Sequence, residues 1–158
     1  MTSDQQPSLR GFTDGFRWEG VACQPYKEGG AAPFRSIARQ VLFAEPALGC
    51  ELRYFEMAPG GYSTLERHEH VHAVMILRGH GQCLLGNQVQ SVKPFDLITI
   101  PSWCWHQFQA SGNEPLGFLC MVNAQRDRPQ LPSKQDLIGL RANPAVAAFL
   151  GGQSVRYD

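Results

Sequence analysis

Several things this chain lacks bound its function before any motif is considered. It has no net charge, with 14 Lys plus Arg against 14 Asp plus Glu, and no basic run. There is thus no field to hold a polyanion, and a nucleic-acid partner is not expected. No apolar run approaches membrane-spanning length, so a membrane partner is not expected either. The opening stretch MTSDQQPSLRGFTDGFRWEG is polar and acidic and lacks the apolar segment of a secretory signal. The 5 cysteines are an odd number with no CxxC pair. They read as free thiols in a reducing compartment, and the cytoplasm is the expected location. At 158 residues, one domain with one site is expected.

What is present is a regular punctuation. Gly and Pro recur about every ten residues, and between them lie short stretches rich in β-branched and aromatic residues, the texture of a many-stranded antiparallel protein. The expected fold class is all-β, with strands over 35–43, 51–57, 69–77, 81–85, 88–92, 96–100, 105–109 and 116–122. Gly86-Asn87 has the composition of a tight hairpin turn. Residues 1–30 read as an N-terminal arm, with a neighbouring subunit as one possible support, 31–123 as the barrel, and 124–158 as a connector and short helical tail. In the tail, Ser133-Lys134-Gln135-Asp136 resembles a capping box ahead of DLIGLRAN. Its apolar residues Leu137, Leu140, Val146, Phe149 and Leu150 are expected to cover the outside of the sheet.

Four of the 5 histidines form one sensible set. His68, His70 and His72 alternate in ERHEHVHAVMILRG, and alternate residues of a strand share a face, where they can converge with His106 of PSWCWHQF on a divalent metal ion. A straight strand would hold the outer two Cα atoms roughly 13 Å apart, so the strand must bend near His68 or one histidine must stand behind the others.

These residues resemble the cupin family, double-sheet β-barrels of jelly-roll type. The resemblance rests on Pro59-Gly60-Gly61, His68-x-His70, Gly79 and Gly81 in a first block, and on Pro101 and His106 in a second. The family's glutamate ligand is missing at its usual distance after His70, and His72 takes its place. In the second block Phe95, Trp103 and Ala110 stand where the family has two glycines and an asparagine. The resemblance implies a double-stranded β-helix with four histidine ligands, and also pairing of subunits into a homodimer.

Four neutral imidazoles would leave a dication's charge uncompensated, and an octahedral shell would keep two open positions, a setting for a chelating ketose or enediolate. Donor softness favours Fe, Ni, Co or Zn. In GFLCMVN, Phe118, Cys120 and Val122 share a strand face, so Cys120 would point at the metal cavity if that face is the inner one. Cys104 is its rival. Tyr54 and Glu56 share one face of ELRYFEMAPGG, opposite Arg53, Phe55 and Met57, and an inward Glu56 would be a hydrogen-bond acceptor or proton shuttle. Arg39 is a candidate for a substrate phosphate.

A narrower resemblance covers ELRYFEMAPGGYSTLERHEHVHAVMILRGHG, IPSWCWHQF, GFLCMVN and RDRPQLP. These blocks look like the small cupins acting on 1-methylthioxylulose 5-phosphate, a manganese-dependent sulfur-lyase group that yields deoxyxylulose phosphate. That resemblance implies Cys120 as the nucleophile toward the methylthio sulfur, Glu56 or Tyr54 as the proton donor to C1, and a cellular thiol to release Cys120. An Fe(II) oxygenase with bystander cysteines, a non-catalytic small-molecule binder and a structural zinc barrel stand as alternatives. The ligand set makes a direct prediction: His70→Ala and His106→Ala are each expected to lose stoichiometric metal, measured by elemental analysis of purified protein.

Overall fold

The computed structural model describes residues 7–26, 35–151 and 153. Residues 1–6, 27–34, 152 and 154–158, which include parts of the expected arm and tail and the first residues of the expected barrel, lie outside this set. Two short strands, β1 (Phe12–Thr13) and β2 (Arg17–Trp18), form a small ribbon. The main sheet holds β3 (Cys23–Pro25), β4 (Arg35–Glu45), β5 (Cys50–Tyr62), β6 (His72–Arg78), β7 (His80–Leu85), β8 (Gln88–Val92), β9 (Leu97–Ile100), β10 (His106–Ser111) and β11 (Leu116–Asn123). Helices α1 (Lys134–Arg141) and α2 (Pro144–Gly151) follow. Each strand expected from the sequence has a counterpart, and the fold is the expected antiparallel all-β type.

The long strand β5 organises the sheet. β4 runs along one of its edges from Cys50 to Tyr62. The other edge is shared, because β11 pairs with Cys50 to Met57 whereas β10 pairs at Tyr62. Gly60, with φ of 73°, lies between the two partners. Two wings therefore diverge from β5, one of β11, β6 and β9 and one of β10, β7 and β8, and the sheet curls so that one face is enclosed.

Alternation decides what is enclosed. Phe118, Cys120 and Val122 of β11 are buried, while Met121 between them is half exposed. Phe55, Met57, Val74, Ile76, Ile100 and Phe108 join them in one cluster. Burying such side chains contributes roughly 1.5–3 kcal/mol each, which is why the register of these strands does not slip. A second cluster lies on the sheet's outer face. There Leu137, Leu140, Val146, Phe149 and Leu150 of the two helices bury Leu84 of β7 and Leu65, as expected for the tail. Ser133 caps α1 through a reciprocal bond with Asp136, and Pro144 opens α2. At the β7–β8 hairpin Gly86 carries a φ of 62°.

One expected strand is shorter than its sequence suggests. Alternation through 69–77 predicts a strand starting at Glu69, yet β6 begins at His72. The backbone N–H groups of Glu69 and His70 are taken by the Asp127 carboxylate, at 2.8 and 3.0 Å, and cannot join a ladder.

Phe95 and Trp103, which replace the family's glycines, retain a glycine-like backbone, with φ of 72° and 61°. For L residues this region costs roughly 1–2 kcal/mol. Phe95 is 77% exposed and its ring buries little. Phe95→Gly is therefore expected to stabilise the fold by about 1 kcal/mol, raising Tm by roughly 2–4 °C in thermal unfolding. A lower Tm would show that the ring's contacts outweigh the backbone strain.

Candidate active site

The site lies where the β5–β6 connection crosses the mouth of the curled sheet. Glu66 bridges His106, and Arg67 bridges Gln130. The Trp103 N–H donates to the His68 carbonyl at 2.7 Å, and the Ser102 hydroxyl donates to that of Glu69. The chain from Glu66 to His70 is thus tied to the β9–β10 loop on one side and to the C-terminal connector on the other. His72 alone of the three alternating histidines lies on a strand.

Leaving strand geometry is what brings the imidazoles together. The rings of His68 and His70 stack nearly parallel with centroids 3.6 Å apart, and His72 lies 4.6 Å from His68. His106, at the start of β10, sits 4.8 Å from His68. Ligand nitrogens of His68, His72 and His106 all lie within 4.8 Å of one another. A second such group is His68, His70 and Asp127. The 13 Å reach of a straight strand never arises.

Hydrogen bonds set the tautomers. Nδ1–H of His68 donates to the His70 carbonyl at 2.7 Å, that of His106 to the Cys104 carbonyl at 2.9 Å, and that of His70 to Asp127 Oδ1 at 2.6 Å. In each ring Nε2 is then the lone-pair nitrogen, the state a metal requires. The Nε2 atoms of His68 and His72 face each other at 3.0 Å. Burial, reinforced by the neighbouring His106, lowers the pKa of His68 to about 4 and of His72 to about 2. Both rings are neutral near pH 7. These donors fit a divalent ion with nitrogen ligands.

A row of inward side chains continues from His72. The thiol Sγ of Cys120 is 3.1 Å from His72 Nδ1. Arg53, directly opposite Cys120 in the β5–β11 register, donates from Nη2 to the same sulfur at 3.6 Å. Burial pushes the Cys120 thiol pKa up, and the Arg53 charge opposes that rise. Cys104, the rival thiol, directs its Sγ at the Trp105 carbonyl, 3.5 Å away. All 5 cysteines are free.

The other expected residues lie elsewhere. Tyr54 and Glu56 occupy the outer face of β5, because alternation turns inward the residues between and beside them, Arg53, Phe55 and Met57. Tyr54 donates to Glu56 at 2.9 Å, Arg78 pairs with Glu56 at 3.1 Å, and the arm residues Phe16 and Trp18 pack on the Tyr54 ring at 5.8 and 5.2 Å. This cluster seats the described part of the arm on its own sheet, and Gly117 must lack a side chain because the Tyr54 hydroxyl fills that space. A role for Tyr54 or Glu56 in delivering protons inside the cavity is not supported. Arg39 does not line the cavity; its guanidinium lies 5.5 Å from the ring of Tyr26, which does. Sequence reasoning missed two residues. Arg53 was visible as the charged member of the Arg53, Phe55, Met57 face, whereas nothing in the connector AQRDRPQ marks Asp127.

Comparison with known proteins agrees with this architecture. The cupin domain profile matches residues 53–122. A cupin-2 domain protein from Rhodospirillum rubrum, known by crystal structure, is 60% identical and superposes with a TM-score of 0.82 over 91% of this chain and 97% of its own. The chain belongs to the cupin family. A cupin 2 conserved barrel protein from Rhodopseudomonas palustris is 58% identical, with a TM-score of 0.85 over 90% of this chain and 98% of that one. A curated protein of R. rubrum is 59% identical over 151 residues, 96% of each chain, and is named 1-methylthio-D-xylulose 5-phosphate methylsulfurylase.

Within this cupin, Asp127 accepts three hydrogen bonds, from the backbone of Glu69 and from the backbone and ring of His70. The Glu69 N–H above all, then His70, pulls its carboxyl well below the usual range, so it is ionised throughout the neutral region. Carboxylates of this kind orient ligand histidines, and losing one typically costs 10–100-fold in metal affinity. Asp127→Ala is expected to lower metal affinity by roughly that factor in a chelator competition assay, while leaving far-UV circular dichroism unchanged. Unaltered affinity would mean that the crossing loop holds its histidines without the carboxylate.

Proposed function

We propose that this cupin is a carbon–sulfur lyase acting on 1-methylthio-D-xylulose 5-phosphate, removing the methylthio group to leave 1-deoxyxylulose 5-phosphate. The observation that carries the reading is 59% identity across 96% of both chains to a protein named for that substrate. A buried thiol in contact with a histidine of the cluster supplies matching chemistry.

In this reading His68, His72 and His106, with His70 beside them, hold one divalent ion, manganese by family resemblance and Fe, Ni or Zn by donor type. Bound there, it supplies Lewis-acid polarisation for the keto oxygen. Cys120 attacks the methylthio sulfur as a thiolate, and the new S–S bond forms as the C1–S bond breaks. The C1 electron pair passes into the adjacent carbonyl as an enolate, which takes a proton at C1 from water. Carbon is thereby reduced and sulfur oxidised. Cys120 is left as a mixed methyl disulfide; one cellular thiol restores it by exchange and carries off the methylthio group as a new mixed disulfide, and a second thiol reduces that disulfide to free methanethiol. Arg39 acts as a brace for Tyr26 in this scheme, and Tyr54 and Glu56 anchor the arm.

A cytoplasmic homodimer completes the proposal. Exchange with small thiols requires a reducing compartment. Phe43, Met75, Leu97 and Met121 leave an exposed apolar outer face on β4, β6, β9 and β11 for a second copy to cover. Among the described residues no helix is long and apolar enough to cross a membrane.

The test is methanethiol release from the phosphorylated substrate with Mn(II) and excess thiol. Cys120→Ala is expected to lose roughly a thousand-fold or more in kcat, and Cys104→Ala to keep most of it. Turnover by Cys120→Ala at the wild-type rate would remove the nucleophile assignment, and oxygen uptake with iron in its place would favour an oxygenase.

A further inference from the structure

The cavity wall carries polar donors beyond the one directed at the Cys120 sulfur. Arg53 is 5% exposed, and its Nε is buried with no hydrogen-bond partner among the described residues. No carboxylate pairs with it among those residues. Its guanidinium lies 5.0 Å from the Phe55 ring and has directed one donor at Cys120. Thr64, 4% exposed, lines the same cavity, and its Oγ1 likewise has no partner among the described residues. A guanidinium has five donors and keeps its charge at any physiological pH. A buried guanidinium that pairs with no carboxylate among the described residues, and has one donor on a thiol, is costly unless an anion completes it.

Charge around the cavity narrows what that anion is. Arg53 is the one lysine or arginine among the described residues that line it, and Glu66 is the one carboxylate among them. We infer that Arg53 binds the phosphate of the substrate, with the Thr64 hydroxyl adding a donor from the same wall. This assignment rests on the reading of the substrate as a ketose phosphate. It moves the phosphate contact from Arg39, the choice the sequence suggests, to a residue buried beside the thiol. The planar guanidinium suits phosphate oxygens, which it can bind through two parallel N–H donors. It also makes Arg53 a specificity residue: a sugar without phosphate would leave the guanidinium unpaired, and it is rejected for that reason.

The experiment compares D-xylulose 5-phosphate with D-xylulose by calorimetry on the full-length protein. Wild type is expected to prefer the phosphorylated sugar by roughly 10- to 100-fold, Arg53→Gln to erase the preference, and Arg53→Lys to keep part of it. Equal affinity of wild type for the two sugars, or an undiminished preference in Arg53→Gln, overturns the assignment. If Arg53→Gln does not fold, Thr64→Val carries the test. A loss of about threefold or more confined to the phosphorylated sugar upholds the site, and unchanged binding overturns it. Methanethiol release separates the two proposals. Arg53-dependent preference without release rejects only the lyase reading, and release without that preference rejects only the phosphate assignment.

Discussion

The register shared by β5, β11 and β6 is the constraint on which the rest depends. Cys120 lies opposite Arg53 on one side and Val74 on the other, and His72 lies opposite Val122, one inward position along. Because the side-chain period of a strand is two, this pairing fixes Arg53, Cys120 and His72 as neighbours on the enclosed face. A slip of one residue would turn Cys120 outward, put Met121 in the cavity and expose Phe118 and Val122. The apolar cluster that forbids the slip and the polar row of the site are therefore one arrangement.

Polarity inside such a wall is sustained by local hydrogen bonds. His68, His70 and His106 give up Nδ1–H to two carbonyls and a carboxylate, and burial keeps His68 and His72 uncharged. Neutral rings with oriented Nε2 atoms can surround a cation without paying the cost of like charges. The connector residue Asp127 matters here out of proportion to its distance in sequence. It removes two N–H groups from any ladder and so converts what would be a strand into a loop.

Much of the fold was legible in the chain. Punctuation by Gly and Pro marked the strands, the Ser133 cap marked α1, and the five apolar tail residues found the outer face. The histidine set was legible as a group, as was Cys120. Less of the site's detail was accessible. Tyr54 and Glu56 looked available because a strand face can be inner or outer, and the choice depended on Phe55 and Met57 being the apolar side. Arg53 is hard to place for the same reason, since a charged residue on an apolar strand face gives no local sign of the wall that surrounds it.

By itself the sequence determined the antiparallel class, the alternating histidines and the free thiols, because composition and periodicity are local properties of the chain, and its two motif blocks carried the resemblance to the family. Only the tertiary structure decided that His68 and His70 leave the strand, that Asp127 holds Glu69 and His70, and that Arg53 rather than Tyr54 or Glu56 faces Cys120. Those outcomes depend on contacts between segments distant in sequence, 58 residues apart for Glu69 and Asp127 and 67 for Arg53 and Cys120, and on which face the curled sheet encloses.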